Sequence, residues 1–327
     1  MNILVLTAAE VRQAIRMKIA IDVMKTAFRD FSMDNSQAPL RSKIQSNQSS
    51  GTVLLMPAIT DSNLGIKIVS VFDNNQHIAL PLIHAMIIVL DVSTGKPLAL
   101  LEGGSITAIR TGAASGAATD ILARNDAKSV AIIGSGVQAR TQLEAVCTVR
   151  KIEKAWVYSP NTEHAEIFAS EMSGRDPIPD DLCVVMSSTK AIQDADIICT
   201  ATTSSTPVFD GNYMKKGTHV NAIGSFKPKM QEVDPITISK SLVVVDSRES
   251  VLNEAGDLII PIEANIVNED HIHAELGEII SNKLLGRTDK DQITYFKSCG
   301  VAVQDVAAAQ TAIQEAKRLG LGTVISL

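Results

Sequence analysis

The sequence predicts an α/β protein: a doubly wound parallel sheet with helices on both faces, joined to a second, discontinuous α+β body. Three observations carry this prediction. From Ser129 onward, apolar strand-like runs alternate with helical runs, the pattern of a parallel sheet. From Gly51 to Leu101 the chain reads instead as short strands separated by turns, the pattern of an antiparallel sheet. Helical patterning stands near both ends, over Ala8–Phe31 and Val303–Leu319, so the last helix is expected to rejoin the N-terminal body. With 327 residues, and about 100–200 residues per domain, two domains follow. The expected division is 1–118 for the first part of one domain, 119–299 for the parallel-sheet domain, and 300–327 for the returning helix.

Each element has a local reason. In Ala8–Phe31, apolar residues recur at Val11, Ile15, Ile19, Val23 and Ala27, one face of a helix. Thr7, with Glu10 three residues on, fits a capping box. Gly51–Met56, Leu64–Phe72 and Ile83–Leu90 are strand candidates, and Asp91-Val-Ser-Thr-Gly95 turns the chain into Pro97–Leu101. Thr107–Leu122 is rich in Ala and Gly, a helix able to approach another backbone closely. Beyond it, Ser129–Ile133, Lys154–Tyr158, Ile197–Thr200, His219–Ile223 and Leu242–Asp246 are the strands expected in the parallel sheet.

Composition narrows the function. Hydrophobic residues make up 45% and charged residues 20%, which excludes disorder as the main state. The 36 acidic against 30 basic residues give a net charge of −6 and argue against nucleic acid as a general partner. Aromatic residues are 3%, with Trp156 the single tryptophan, so the core must be aliphatic. Cys147, Cys183, Cys199 and Cys299 lie far apart without metal-ligand spacing and read as reduced thiols of a cytoplasmic protein. No export signal is recognised, and the apolar run Ile83–Leu90 is too short for a bilayer, so no membrane partner is expected. His271, His273 and Glu275 are close in sequence but are not expected to bind metal.

One stretch carries chemistry directly. Ser129–Ile133 runs into Gly134-Ser135-Gly136-Val137-Gln138-Ala139, and a helical pattern follows. Gly134 suits the tight turn, Gly136 lets backbone approach a pyrophosphate, and Ala139 permits close helix–strand packing. The helix start then offers amides and the positive end of a dipole. Strand, glycine motif, helix and second strand occur in the order a Rossmann-type dinucleotide site requires. The second strand ends at Ser159-Pro160-Asn161-Thr162, with no acid to take the ribose 2′-hydroxyl of NAD and no Arg to grip a 2′-phosphate. NADP(H) is favoured on the missing acid, with NAD(H) open.

The chain resembles the ornithine cyclodeaminase/mu-crystallin family. The stretches that carry the resemblance are Leu90–Ala99, Thr107-Ala-Ile-Arg-Thr-Gly-Ala-Ala-Ser115, Ile133–Ala139, His219-Val-Asn-Ala-Ile-Gly224 and Ala274-Glu-Leu-Gly-Glu278, in order across nearly the whole chain. The resemblance implies a homodimer with a substrate and dimerisation domain beside the Rossmann domain, and NAD(P) chemistry on small amino or imino acids. It implies further cofactor contacts at Thr202, Ile223 and Gly224. Members differ in activity: ornithine cyclodeaminase, alanine dehydrogenase, cyclic ketimine reductase, or ligand binding by the crystallin.

Arg41, Lys67 and Arg110 match the family positions that hold the substrate carboxylate. Lys67 is the one charge in Leu64-Gly-Ile-Lys-Ile-Val, and Arg110 interrupts a helix of small residues; both need an anionic partner. A structural ion pair would satisfy them equally, and Arg41, in a polar loop, equally fits a solvated charge. His84, in an apolar strand, is either a hydrogen-bonded core histidine or the group that protonates the substrate. Asp305 reads as an acid at a helix start.

Two departures bear on activity. Cyclodeaminases of the family carry an aspartate where Phe226 stands, and a glutamate shortly before Met-Pro where this chain has Val53-Leu54-Leu55-Met56-Pro57. Glu232 and Asp234 are the nearby acids left to fill the first role. Without anchors for a second amine, the expected substrate is a cyclic ketimine, Δ1-pyrroline-2-carboxylate reduced to L-proline, with Δ1-piperideine-2-carboxylate second. Phe226 then offers an apolar surface to the ring. Ornithine cyclodeaminase, alanine dehydrogenase or a non-catalytic binding protein stand as alternatives.

Overall fold

The computed structural model describes residues 1–46, 51–78 and 80–327. The chain opens with strand β1 (Asn2–Leu6), then helices α1 (Ala8–Ala14) and α2 (Met17–Ser32). The Thr7/Glu10 capping box forms: Glu10 N–H donates to Thr7 Oγ1, and Thr7 N–H to Glu10 Oε2. The single helix expected over Ala8–Phe31 is two, because Ile15 and Arg16 take extended backbone. The break lets both Ile15 and Met17 enter the core. Strands β2 (Ser36–Gln37), β3 (Ser42–Gln45), β4 (Thr52–Thr60), β5 (Leu64–Val71), β6 (Ile83–Leu90) and β7 (Pro97–Glu102) follow. β3 to β7 pair antiparallel in succession, as the turn-rich sequence requires. Helix α3 (Gly103–Leu122) comes next, buried on every side from Ala108 to Thr119.

The chain divides into two compact units, Met1–Arg110 with Val301–Leu327, and Thr111–Gly300. The first boundary falls inside α3, earlier than the expected 118/119.

The second unit contains β8 (Ser129–Ile133), α4 (Val137–Val149), β9 (Lys154–Tyr158), α5 (Thr162–Met172), β10 (Leu182–Val184), α6 (Ser188–Ile192), β11 (Ile197–Thr200), β12 (His219–Ala222), α7 (Pro235–Lys240), β13 (Ser241–Val245), α8 (Arg248–Glu254), α9 (Gly256–Glu263), β14 (Ile272–Glu275), α10 (Leu276–Ile280) and β15 (Ile293–Lys297). Its strands are all parallel, in the order β10-β9-β8-β11-β12-β15-β13-β14. Val130 and Ile132 pack into one apolar cluster, Ala131 and Ile133 into another, so β8 is buried on both faces. That explains its unbroken apolar run. The direction of winding reverses between β8 and β11, the switch point at which open α/β sheets bind ligands. The small residues of α3 do bring backbones together: a Cβ on Gly112 would sit 2.5 Å from the Thr141 carbonyl oxygen of α4.

The chain then rejoins the first unit through α11 (Ala302–Leu319) and β16 (Thr323–Ser326). α11 lies against α2 and strands β4 to β6. β16 pairs antiparallel with β1, and β1 pairs parallel with β7, so this sheet is mixed rather than purely antiparallel. Met56 and Ala58 of β4 meet Val303 and Val306 of α11 in its core.

Candidate functional site

In the first unit, the sheet and α11 enclose a group of charges. Lys67 points from β5 and is 2% exposed, although Ile66 and Ile68 flank it in sequence. Its Nζ lies 2.6 Å from Asp305 Oδ2. Arg110 Nε donates to the other oxygen, Asp305 Oδ1, at 2.9 Å. Arg110 Nη1 donates to Gln304 Oε1 at 2.9 Å, and Gln304 Oε1 also accepts the Val301 N–H at 2.8 Å. Two buried cations therefore share one carboxylate, and the structural ion pair weighed for Lys67 and Arg110 is present. Arg41, before β3, is half-buried, and its charge acts on both Lys67 and Asp305.

Asp305 stands in the first turn of α11, as expected, but its role is larger than that of a helix-start acid: it is wholly buried and supports both cations. The signal was that a charge stands among Val303, Val306 and Ala307, with only the neutral Gln304 beside it, and so calls for a partner. Burial opposes its ionisation, yet Arg110 and Lys67 hold its carboxyl below the usual carboxylate range. Lys67 behaves differently. Burial pushes its ammonium down to about 7, Asp305 offsets only part of this, and Arg110 adds to the depression. The arrangement can hold an anion and can also give up a proton near neutral pH.

His84 lies in β6 opposite Ser70, exposed rather than in the core expected of an apolar strand. Leu54 stands in β4 opposite Val69, with no acid at that position.

The second unit carries the glycine motif at the end of β8. Gly134 has φ +111, a conformation that favours glycine, and a Cβ there would lie 2.6 Å from the Ala201 carbonyl oxygen. Gly136 caps α4, and a Cβ on it would meet nothing within 4 Å. That open space lies where the α4 amides lack a side-chain cap, the setting in which a pyrophosphate fits. Ala139 is fully buried, while Ser135 and Gln138 are half-buried and Val137 is exposed. Arg140, which sequence reasoning passed over, straps the turn: its Nη1 donates to the carbonyls of Ser135 and Gly136, and its Nε to Glu171. At the end of β9, Ser159 is half-buried, Asn161 caps α5 by accepting from the His164 N–H, and Thr162 begins that helix.

Thr202 follows β11, and Ile223 and Gly224 follow β12. Glu232 does not fill the missing acid's role. Its carboxylate is buried and accepts from Thr200 Oγ1, Thr202 N–H and Gly224 N–H. Asp234 is also engaged, accepting from the N–H groups of Thr237 and Gly211. Phe226 stands 38% exposed in the loop after β12, with Lys227 Nζ over its ring. His271 and His273 each bond a backbone carbonyl through Nε2, that of Ile238 and of Leu285.

The family model of the ornithine cyclodeaminase/mu-crystallin family matches residues 1–319. The chain belongs to this family. A Δ1-pyrroline-2-carboxylate reductase of Bacillus cereus is 41% identical over 322 residues, covering 98% of each chain. The structure of Thermococcus litoralis Δ1-pyrroline-2-carboxylate reductase in complex with NADH and L-proline is similar at a TM-score of 0.94 and 44% identity, over 98% of this chain and 99% of that one. An archaeal alanine dehydrogenase dimer with bound NAD is similar at 0.93 and 32%, over the full length of both. Among the described residues of this family member, no helix is long and apolar enough to cross a membrane.

Proposed function

We propose that this member of the family reduces the C=N bond of a cyclic imino acid, Δ1-pyrroline-2-carboxylate to L-proline, with Δ1-piperideine-2-carboxylate as a second substrate. The observation that carries the reading is the clamp: two buried cations on a single carboxylate, without an acid at Leu54 or Phe226 to hold a second amine. Arg110 and Arg41 take the substrate carboxylate, and Lys67 adds its charge when protonated. Fixing the carboxylate orients the ring, which lowers the entropic part of the barrier. Phe226 offers an apolar surface to a planar ring but no partner to a δ-ammonium.

A reduced nicotinamide, when bound, supplies the hydride that adds to C2. The protein must deliver the proton that completes the N–H bond. Lys67, held near neutrality by burial, is suited to that task. His84 is the competing donor, and its exposure favours Lys67. The dinucleotide rests on Gly134, Ser135, Gly136, Val137, Gln138 and Ala139, with the adenosine ribose at Ser159, Asn161 and Thr162 and the nicotinamide half near Thr202, Ile223 and Gly224. NADPH is favoured over NADH because Ser159–Thr162 holds no acid.

The protein works as a homodimer in the cytosol. Ile44, Ile83 and Met86 expose apolar surface on the antiparallel strands of the first unit, and an archaeal relative is a dimer. Among the described residues no disulfide joins Cys147, Cys183, Cys199 and Cys299, in keeping with a reducing compartment.

The test is a screen of cyclic imines and of pyruvate plus ammonia with NADPH and NADH, alongside L-ornithine with catalytic NAD. Imine-dependent oxidation of the cofactor without turnover of the other substrates supports the reading. Stoichiometric ammonia and proline from ornithine, or turnover of pyruvate with ammonia, overturns it. No turnover with any imine leaves a ligand-binding protein.

A further inference from the structure

A second set of buried ionisable groups stands at the C-terminal edge of the parallel sheet. Glu232 Oε1 accepts from the Thr202 N–H, and Oε2 from the Gly224 N–H and Thr200 Oγ1. Its own backbone N–H, and that of Val233, donate to Asp257 Oδ1 at 2.7 and 3.1 Å. Asp257 Oδ2 in turn holds Lys297 Nζ at 3.0 Å and the Tyr295 hydroxyl at 3.3 Å. Glu232, Asp257, Tyr295 and Lys297 are all fully buried.

We infer that Glu232 is a positioning residue that fixes the two loops carrying the nicotinamide half of the cofactor. The inference rests on the dinucleotide reading above. β11 and β12 lie on the opposite side of β8 from β9, and the adenosine half belongs with β9. The loops after β11 and β12 therefore serve the other half, and Glu232 bonds both. The loops are pressed together at this point: a Cβ on Gly224 would lie 2.1 Å from the Thr202 carbonyl oxygen and 2.5 Å from the Glu232 carboxyl. Bonds from backbone amides to a carboxylate are stronger than neutral ones and fix the direction of each loop. Asp257 holds the main chain of Glu232 while the loops hold its side chain, so the carboxylate is located from both ends. Both of its oxygens are engaged and the side chain is fully buried, so it does not present itself to substrate. It acts through the loops.

The test is titration of the purified protein with NADH and, separately, with AMP, in wild type, Glu232→Gln and Thr200→Val. Glutamine keeps the size but turns an NH2 toward one of the two backbone N–H groups. Glu232→Gln should weaken NADH binding about tenfold and raise the cofactor KM to match. AMP affinity and the KM for the imino acid should stay unchanged. Thr200→Val removes one of three donors and should weaken NADH about two- to fivefold, again with AMP unaffected. It decides the matter if Glu232→Gln does not fold. Wild-type NADH affinity in a folded variant, or equal loss of NADH and AMP, overturns the assignment. Wild type that binds neither nucleotide overturns the dinucleotide reading, and the positioning role with it.

Discussion

The two units present positive charge by different means. The first uses buried side-chain cations, Lys67 and Arg110, around a single carboxylate. The second presents bare backbone, the Gly134–Gly136 turn and the uncapped start of α4. Its own buried lysine, Lys297, serves the scaffold instead. Burial disfavours the charge on both lysines, yet Lys67 is pushed down to about 7 whereas Lys297 is raised. Lys67 shares Asp305 with Arg110, which repels it; Lys297 faces Asp257 and, further off, Glu232. Both lysines are buried, so the difference lies in the groups around them: Arg110 and Arg41 oppose Asp305 at Lys67, whereas Asp257, Cys299 and Glu232 all favour the charge on Lys297.

The largest effect that would sharpen this contrast is expected at the glycine turn. Gly136→Val fills the open space over α4 and should abolish dinucleotide binding while circular dichroism and melting stay close to wild type. Unchanged NADH affinity in the folded variant would move the pyrophosphate elsewhere.

The same substitution at the two lysines should give opposite outcomes. Lys297→Met leaves Asp257 buried without its cation and should lower stability by roughly 3–5 kcal/mol in denaturant titration. Lys67→Met should leave a folded protein whose kcat/KM for the imino acid is lower by about 2–5 kcal/mol of transition-state stabilisation. Arg110→Met should resemble Lys67→Met. Kinetics within a factor of about two of wild type would return Lys67 and Arg110 to a purely structural role, since even tenfold is only 1.4 kcal/mol.

The pH profile separates the two donors at smaller scale. As the proposed donor, Lys67 must be protonated, and burial pushes its ammonium down to about 7. kcat/KM should therefore be highest below about pH 7 and fall as pH rises through that value, with this limb absent in Lys67→Met. The sign for stability is consistent: the unfolded chain binds the Lys67 proton more tightly, so burial of Lys67 costs stability below about pH 7, and the cost fades as pH rises toward 10.5. The smallest effect is expected at His84. His84→Asn should keep the limb and change kcat little; loss of the limb there would make the histidine the donor.

Much of the fold is legible in the sequence. The capping box at Thr7, the strands Ser129–Ile133, Lys154–Tyr158 and Ile197–Thr200, and the glycine motif are local in sequence, and their reasons are local: a side chain reaching three residues, an apolar run, a turn that needs φ above zero. Lys67 and Arg110 stood out because each breaks an apolar or small-residue run. β1 and β16 did not: they are comparable in length to those strands, but they stand outside the strand–helix alternation and acquire their meaning only from pairing across the chain. The partners of the charges were equally hidden. Asp305 lies 195 residues from Arg110, and Glu232 reaches back 32 residues to Thr200. The apolar and small-residue runs around Lys67 and Arg110 mark them as charges that need a partner; the fold chooses Asp305 for both. Desolvation is felt wherever a charge sits in an apolar run, whereas Coulomb attraction and hydrogen bonding act over a few ångströms, and only folding sets those distances.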